Sequence, residues 1–285
     1  MGVGGAGLSA YARAARALGA SVTGSDQAAS AFSRALAADG VLEAAIGHGA
    51  ANLPAGEGIE VVFSAAIPAE NPERVAAEER GLTLVSRAAL LGELSALRRT
   101  IAVAGAHGKT TTSSMIASVL RAGGLDPGYL IGGILRETGR NGDWGSGEWL
   151  VIEADESDRS LLSLHVEIAV LTNVELDHHD AFGSLAELEA VYREFLAGAR
   201  EAVIWDRPEL LALREGPRVA YDVAEATLEG GRASFDWDGV AVELALPGIH
   251  NARNAAARSV GPSSHSVPSG QIRCGSPQRS RCGAS

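Results

Sequence analysis

"TIAVAGAHGKTTTSSMIASVL", residues 100–120, is the stretch whose reading decides the fold. An apolar run ends at Gly105, G-K-T follows, and apolar residues then recur at helical spacing. Strand, glycine loop and helix in that order are the context of a phosphate-binding loop, because backbone N–H groups at the loop and the helix N-terminus cradle phosphate oxygens. The usual form is G-x-x-x-x-G-K-[ST]. Gly108, Lys109 and Thr110 fill its second half, but Val103 stands where the first glycine belongs, so the loop is expected to be shorter or differently shaped. Lys109 is expected to place a point charge on the β and γ phosphates, and the Thr110 hydroxyl to bind Mg²⁺. The helix is expected from about Thr111 to Ala122.

Downstream, "EWLVIEA" and "EIAVLTN" read as buried strands of the same sheet. The first exits into Glu153, Asp155, Glu156 and Asp158. Carboxylates crowded together raise one another's pKa unless a cation shares the site. A solvated acidic turn is the usual fate of such a run; downstream of a phosphate loop, metal binding is the better reading, with Glu153 nearest the strand end. The second strand exits into Asn173, Glu175, Asp177, His178, His179 and Asp180. Strand C-termini of a parallel sheet lie along one edge, where ligands bind, so these exits converge. Mg²⁺ prefers oxygen, and a lone His in such a loop is more often a hydrogen-bonded residue than a ligand. "RASFDWDGVAVELAL" reads as a hairpin turning at Asp238-Gly239. In "LPGIHNARNAAA", Asn251 and Asn254 share one helix face; they suit either adenine contacts or a helix cap.

Upstream, "MGVGGAGLSAYARAARALGASVTGSD" sets Gly2, Gly4 and Gly7 in G-x-G-x-x-G spacing before a helical pattern, with Asp26 about 20 residues on. The motif requires a strand before its first glycine, and only Met1 precedes it, so the first strand is expected to be truncated. "IEVVFSAAIP" and "LTLVS" read as further strands flanking a helix from about Pro72 to Arg80. The alternation makes an α/β protein: residues 1–97 a Rossmann-like unit, 98–257 a central P-loop-type parallel-sheet ATPase unit. Residues 258–285 carry four Arg, no acidic residue and no apolar periodicity, and are expected to be a disordered or frame-shifted tail.

With 46% hydrophobic and 21% charged residues the composition is globular. A net charge of −11 argues against a nucleic-acid surface, which needs clustered Lys and Arg. No apolar run approaches the ~20 residues that cross a bilayer. No secretion signal opens the chain, and Cys274 and Cys282 both sit in the tail, so a cytoplasmic location without membrane partners is expected.

Six stretches, in order, resemble the Mur ligase family: "GVGGAGLSA", "SAAIPAENPE", "GAHGKTTT", "EADESD", "TNVELDHHD" and "GIHNARNAAA". Its loop reads G-T-H-G-K-T-T-T, so the family also lacks the first Walker glycine. The resemblance implies that the first unit binds the UDP end of UDP-N-acetylmuramate through Gly4, Gly7, Asp26 and Ser64. It implies ATP binding by Gly105, His107, Gly108, Lys109, Thr110, Thr111, Asn251 and Asn254. Mg²⁺ would be held by Thr110, Glu153 and His178, with Lys109, Glu153 and His178 catalytic. The implied reaction is ATP-dependent amide formation between UDP-N-acetylmuramate and L-alanine through an acyl phosphate, in peptidoglycan precursor synthesis. "VYREFL" lacks the lysine that some members carbamylate, and the alanine-adding branch is similar in this. The family's third, C-terminal domain has no counterpart in the sequence, which implies that this chain is inactive alone. Three other readings compete: a sister ligase that recycles peptides onto the same sugar nucleotide, a non-catalytic nucleotide-binding fragment, and a dehydrogenase resting on G-x-G-x-x-G and Asp26 alone.

Overall fold

The computed structural model describes residues 1–176, 181–223, 225–237, 240–244, 248–257 and 272–274. The chain opens with α1 (Ala6–Ala17), β1 (Ser25–Asp26), α2 (Ala31–Ala38), β2 (Ala45–Ile46), β3 (Glu60–Phe63), α3 (Pro72–Glu79), β4 (Thr83–Ser86) and α4 (Arg87–Ala96). β1 pairs in parallel with β2, and β3 with β4. Residues 1–3 lie between the two pairs: the Gly2 and Val3 N–H groups donate to the Ser25 carbonyl at 2.8 and 3.1 Å, the Met1 amine donates to the Val62 carbonyl at 2.6 Å, and the Ser64 N–H donates to the Met1 carbonyl at 3.2 Å. The place expected for the first strand is thus occupied by the three residues that lead into the glycine loop.

Local signals account for the helix starts. Ser30 and Ser33 form a capping box on α2. The Asn71 side chain accepts the Glu73 and Arg74 N–H groups with Pro72 at the first turn of α3. "IEVVFSAAIP" yields only the four residues of β3, because Ser64 leaves the strand to accept the Ala66 N–H at 3.3 Å.

The central unit adds β5 (Arg99–Ala104), α5 (Lys109–Ala122), β6 (Gly128–Leu135), β7 (Arg140–Asp143), β8 (Trp149–Glu153), β9 (Ile168–Leu171), α6 (Leu185–Gly198), β10 (Glu201–Trp205), α7 (Pro208–Leu211) and β11 (Arg218–Tyr221). Its seven-stranded sheet runs β11-β10-β9-β5-β8-β6-β7, parallel except for β7. Both faces are covered, which is why these strands read as continuous apolar runs. Ile101 and Val103 face Met115 and Ile116 of α5, whereas Ala102 and Ala104 face Leu188, Val191 and Phe195 of α6. Helices of the first unit cover the rest: Leu8, Tyr11 and Ala14 of α1 and Leu91 and Leu94 of α4 pack on Leu130, Leu150 and Ile152.

The chain continues through β12 (Thr227–Glu229), β13 (Arg232–Trp237), β14 (Val240–Leu244), α8 (Ile249–Ala256) and β15 (Ile272–Cys274), the four strands forming a separate sheet. β13 and β14 are the expected hairpin, with Trp237 opposite Val240; its turn at 238–239 lies outside the described residues. Of the segment 258–285, only β15 falls within them, paired with β14. No helix among the described residues is long and apolar enough to cross a membrane.

One buried carboxylate ties the first unit together. Glu73, 4% exposed, accepts Ser25 Oγ at 2.7 Å, Asn52 Nδ2 at 2.9 Å and the Gly49 N–H at 3.4 Å. Burial pushes its pKa up, but the hydrogen bonds from Asn52, Ser25, Gly49 and His48 outweigh burial and hold it below the ordinary 4.5. Its folded pKa lies below its unfolded one, so its contribution to stability is complete above the unfolded value and is lost as pH falls through the depressed folded value. Glu73→Gln should therefore cost about 2 kcal/mol at neutral pH. In urea unfolding the gap between wild type and variant should close as the pH is lowered toward the acid range; equal stabilities at neutral pH would contradict this.

Candidate active site

β5 delivers the chain to the loop at Gly105, which has φ 134°, and a Cβ there would collide with Thr172 Oγ1 and lie 3.0 Å from the Asn173 nitrogen. Only glycine fits. The end of β9 then clasps the loop: Thr172 Oγ1 and Asn173 Nδ2 donate to the His107 carbonyl at 2.7 and 2.8 Å, and the His107 N–H donates to Asn173 Oδ1 at 2.8 Å. Gly108, with φ 83°, caps α5, and a Cβ on it would lie 2.8 Å from Asn254 Oδ1. The loop is therefore confined between β9 and α8. Val103, where the common motif has glycine, is fully buried inside β5, opposite Glu153 and Val170. α5 begins at Lys109, two residues before the expected start, because the glycine cap lets the loop enter the helix directly.

The Lys109 ammonium donates to the Gly105 carbonyl at 2.8 Å and to both oxygens of Glu156 at 2.9 and 3.0 Å. Glu156 is 1% exposed and stands against Tyr192, whose hydroxyl pKa is pushed up by burial first and by the Glu156 charge next. Beside this pair, Thr110 Oγ1 donates to the Glu153 carboxylate at 2.8 Å, and the Gly132 N–H donates to Glu153 Oε2 at 2.6 Å. Thr110 and Glu153 set a hydroxyl and a carboxylate side by side, oxygen donors of the kind a hard divalent cation accepts; Mg²⁺ commonly takes one or two protein ligands and completes its shell with water and substrate phosphate. These residues fit Mg²⁺. Among the described residues no three His, Cys, Asp or Glu converge as a metal cluster. His178, the other expected metal ligand, lies outside the described residues.

A cleft of about 290 Å³ opens beside Glu153 and leads to the first glycine loop. Gly2, Gly5, Gly7 and Ser64 form one wall, Gly132, Glu153 and Asp155 the other, with Tyr11 and Arg87 between. Ser64 and Gly7, expected at the sugar nucleotide, line this cleft. Gly4 does not: its N–H donates to Asp26 Oδ2 at 2.7 Å, and a Cβ at Gly4 would come 2.8 Å from that oxygen. Asp26 thus holds the loop with one oxygen, and Ser30 Oγ donates to the Gly4 carbonyl at 2.8 Å. Asn254 is brought to the phosphate loop at Gly108, while Asn251 and Thr111 stand partly exposed on α8 and α5.

Sequence reasoning did not single out Gly132, Thr172 or Arg87, and it gave Glu156 no role of its own. Arg87 had a signal: a cation at the first residue of α4 opposes the helix dipole, which favours acidic residues there. Its guanidinium reaches Asp158 Oδ2 at 2.9 Å and Asp155 Oδ2 at 3.8 Å, and Nε donates to the Tyr11 hydroxyl at 3.3 Å. Burial lowers its pKa, but Tyr11 and the two carboxylates outweigh burial and raise it above the ordinary value.

The profile described as "Mur ligase family, catalytic domain" matches residues 1–99, and the "Mur ligase middle domain" matches residues 103–260. UDP-N-acetylmuramate–L-alanine ligases of Bordetella pertussis and Rhizobium johnstonii are 42% and 39% identical, each over 90% of this chain and 60% of its own length. The chain thus spans about 60% of the curated relatives it matches. Among solved structures, the UDP-N-acetylmuramate–alanine ligase of Thermotoga maritima is 25% identical with a TM-score of 0.80, covering 90% of this chain and 62% of its own. A UDP-N-acetylmuramate:L-alanyl-gamma-D-glutamyl-meso-diaminopimelate ligase from Neisseria meningitides is 28% identical with a TM-score of 0.78, over 90% of each chain. Both profiles match in the order in which the glycine loop and the phosphate loop occur, and the second alone covers more than half of the sequence, so the chain belongs to the Mur ligase family.

Proposed function

We propose that this chain carries the sugar-nucleotide and ATP sites of an ATP-dependent carboxylate–amine ligase that joins L-alanine to UDP-N-acetylmuramate. The observation that carries the reading is the continuity of the cleft from the first glycine loop to Glu153, which is itself hydrogen-bonded to Thr110 of the phosphate loop. A sugar nucleotide whose diphosphate rests on Gly5–Gly7 extends its carboxylate toward Glu153, and the γ-phosphate of ATP arrives there from Lys109. The relatives that are about 40% identical are L-alanine ligases, which favours L-alanine over a peptide as the incoming amine.

In the first half-reaction the carboxylate oxygen takes the γ-phosphoryl group and ADP departs. In the second the amine attacks the acyl carbon, phosphate leaves, and the nitrogen loses a proton as the amide forms. The protein's task is mostly positioning and charge neutralisation, as in phosphoryl transfer generally. Lys109 exchanges Glu156 for phosphate oxygens, Gly105 and Gly108 let the backbone approach them, and Thr110 and Glu153 are the residues that would hold Mg²⁺. When bound, that ion neutralises charge on the transferring phosphoryl group.

Lys109→Ala should weaken ATP binding by about tenfold to a hundredfold, the worth of a charge-assisted hydrogen bond. His107→Ala should change it little, because the His107 ring is 60% exposed and the loop is held through its backbone. Calorimetric ATP titrations of both variants check this, and Lys109→Ala with wild-type affinity would contradict the phosphate-loop reading.

UDP-N-acetylmuramate should bind the cleft while NAD does not, and tighter binding of NAD in the same calorimeter would overturn the sugar-nucleotide assignment. In a protein spanning the full length of the curated relatives, a ligase differs from a mere binding module in forming ADP in a single turnover only when UDP-N-acetylmuramate is present. Rapid-quench analysis reads this directly; ADP formation indifferent to the sugar nucleotide would count against the ligase reading.

A further inference from the structure

Arg87 is the only Lys or Arg among the described residues lining the cleft, whose other charged lining groups are Glu153 and Asp155. An anionic sugar nucleotide entering beside two carboxylates needs a cation, and the cleft offers this one. The guanidinium lies directly against the glycine loop: a Cβ on Gly7 would come 3.3 Å from its Nε. On its other side it is held by Asp158 at 2.9 Å, with Asp155 at 3.8 Å. Arg87 thus stands between the loop expected to carry the diphosphate and the acidic turn that follows Glu153. Its planar fork matches phosphate oxygens in two-point geometry, and such charge-assisted bonds are the strong ones.

We propose that Arg87 is an exchanged cation, paired with Asp158 and Asp155 in the free protein and transferred to the diphosphate of the sugar nucleotide when the cleft fills. The inference rests on the sugar-nucleotide reading above and deepens it by naming the residue that recognises the diphosphate and the contact given up on binding. Asp158 is then a competitor of the ligand for Arg87, whereas in a purely structural clamp it is a support. The two roles predict opposite signs on removing its charge. Asp158 Oδ1 also accepts the Ser160 N–H at 3.0 Å, an interaction an amide oxygen preserves, so Asp158→Asn removes charge with little change in the turn.

The test measures UDP, uridine and ATP affinities by calorimetry for the wild-type chain, Arg87→Met, Arg87→Lys and Asp158→Asn, with thermal unfolding run alongside. UDP binding should weaken about tenfold or more in Arg87→Met, the loss of a charge-assisted hydrogen bond, and less in Arg87→Lys, which keeps the charge without the fork. ATP affinity should stay within about twofold, and uridine should bind wild type and variant alike. Asp158→Asn should bind UDP tighter than wild type. UDP affinity equal in wild type and Arg87→Met, or weakened by Asp158→Asn, overturns the exchange. A loss seen with UDP-N-acetylmuramate but absent with UDP would assign Arg87 to the lactyl carboxylate and overturn the diphosphate version. If Arg87→Met does not fold, Arg87→Lys and Asp158→Asn carry the test. Wild-type protein that binds no UDP at all refutes the sugar-nucleotide reading itself, a result distinct from any of these.

Discussion

The site depends on the register of β5 with its two neighbours. Val103 pairs with Glu153 on one side and Val170 on the other, and Ala104 with Leu171. Because the strands are parallel, their C-terminal residues leave the sheet along one edge, and the ladder fixes the phosphate loop, the acidic turn after Glu153 and the Thr172-Asn173 clasp relative to one another. A slip of one residue would turn Glu153 to the opposite face of the sheet and separate it from Thr110. The cost of keeping Glu156 almost wholly buried is offset by the Lys109 ammonium on both of its oxygens, a geometry available only in this register.

A second constraint fixes the wall that faces this edge. α1, which follows the first glycine loop, packs on the central sheet, and a Cβ on Gly142 would come 2.7 Å from the Ala10 Cβ. Asn141 Nδ2 donates to the Ala6 carbonyl at 2.6 Å and to Ser9 Oγ at 2.8 Å. Asp39, which follows α2, pairs with both Arg13 of α1 and Arg140 of β7. The glycine loop therefore stands at a set distance from Glu153, the fixed separation that the proposed reaction needs. In the free protein the acidic turn also holds both cations of the site: Lys109 lies on Glu156, and Arg87 on Asp158 and Asp155.

Much of this was legible in the sequence because it is local. The parallel sheet announced itself in continuous apolar runs that end in polar residues, and Pro72 marked the start of α3. Gly105, Gly108, Lys109 and Thr110 could be placed from strand, loop and helix alone. Other features required the third dimension. That Gly4 turns to Asp26 while Gly5 and Gly7 line the cleft is decided by backbone direction within a loop, which spacing does not encode. That Glu156, rather than another carboxylate of "EADESD", meets Lys109 follows from the turn's geometry. Arg87 is distant in sequence from Asp155 and Asp158, and only the packing of α4 on the sheet brings them together.

The proposed ligase reaction requires one edge of one sheet to bring a sugar-nucleotide carboxylate to the γ-phosphate of ATP. A crystal structure of the chain with UDP-N-acetylmuramate, Mg²⁺ and a non-hydrolysable ATP analogue tests it most directly. The diphosphate should lie on Gly5–Gly7, the γ-phosphate at Lys109 and Thr110, and a lactyl carboxylate oxygen about 3–3.5 Å from the γ-phosphorus, the separation of a reactive pair. A sugar nucleotide bound outside this cleft, or a carboxylate turned away from Glu153 and the phosphate loop, would contradict it.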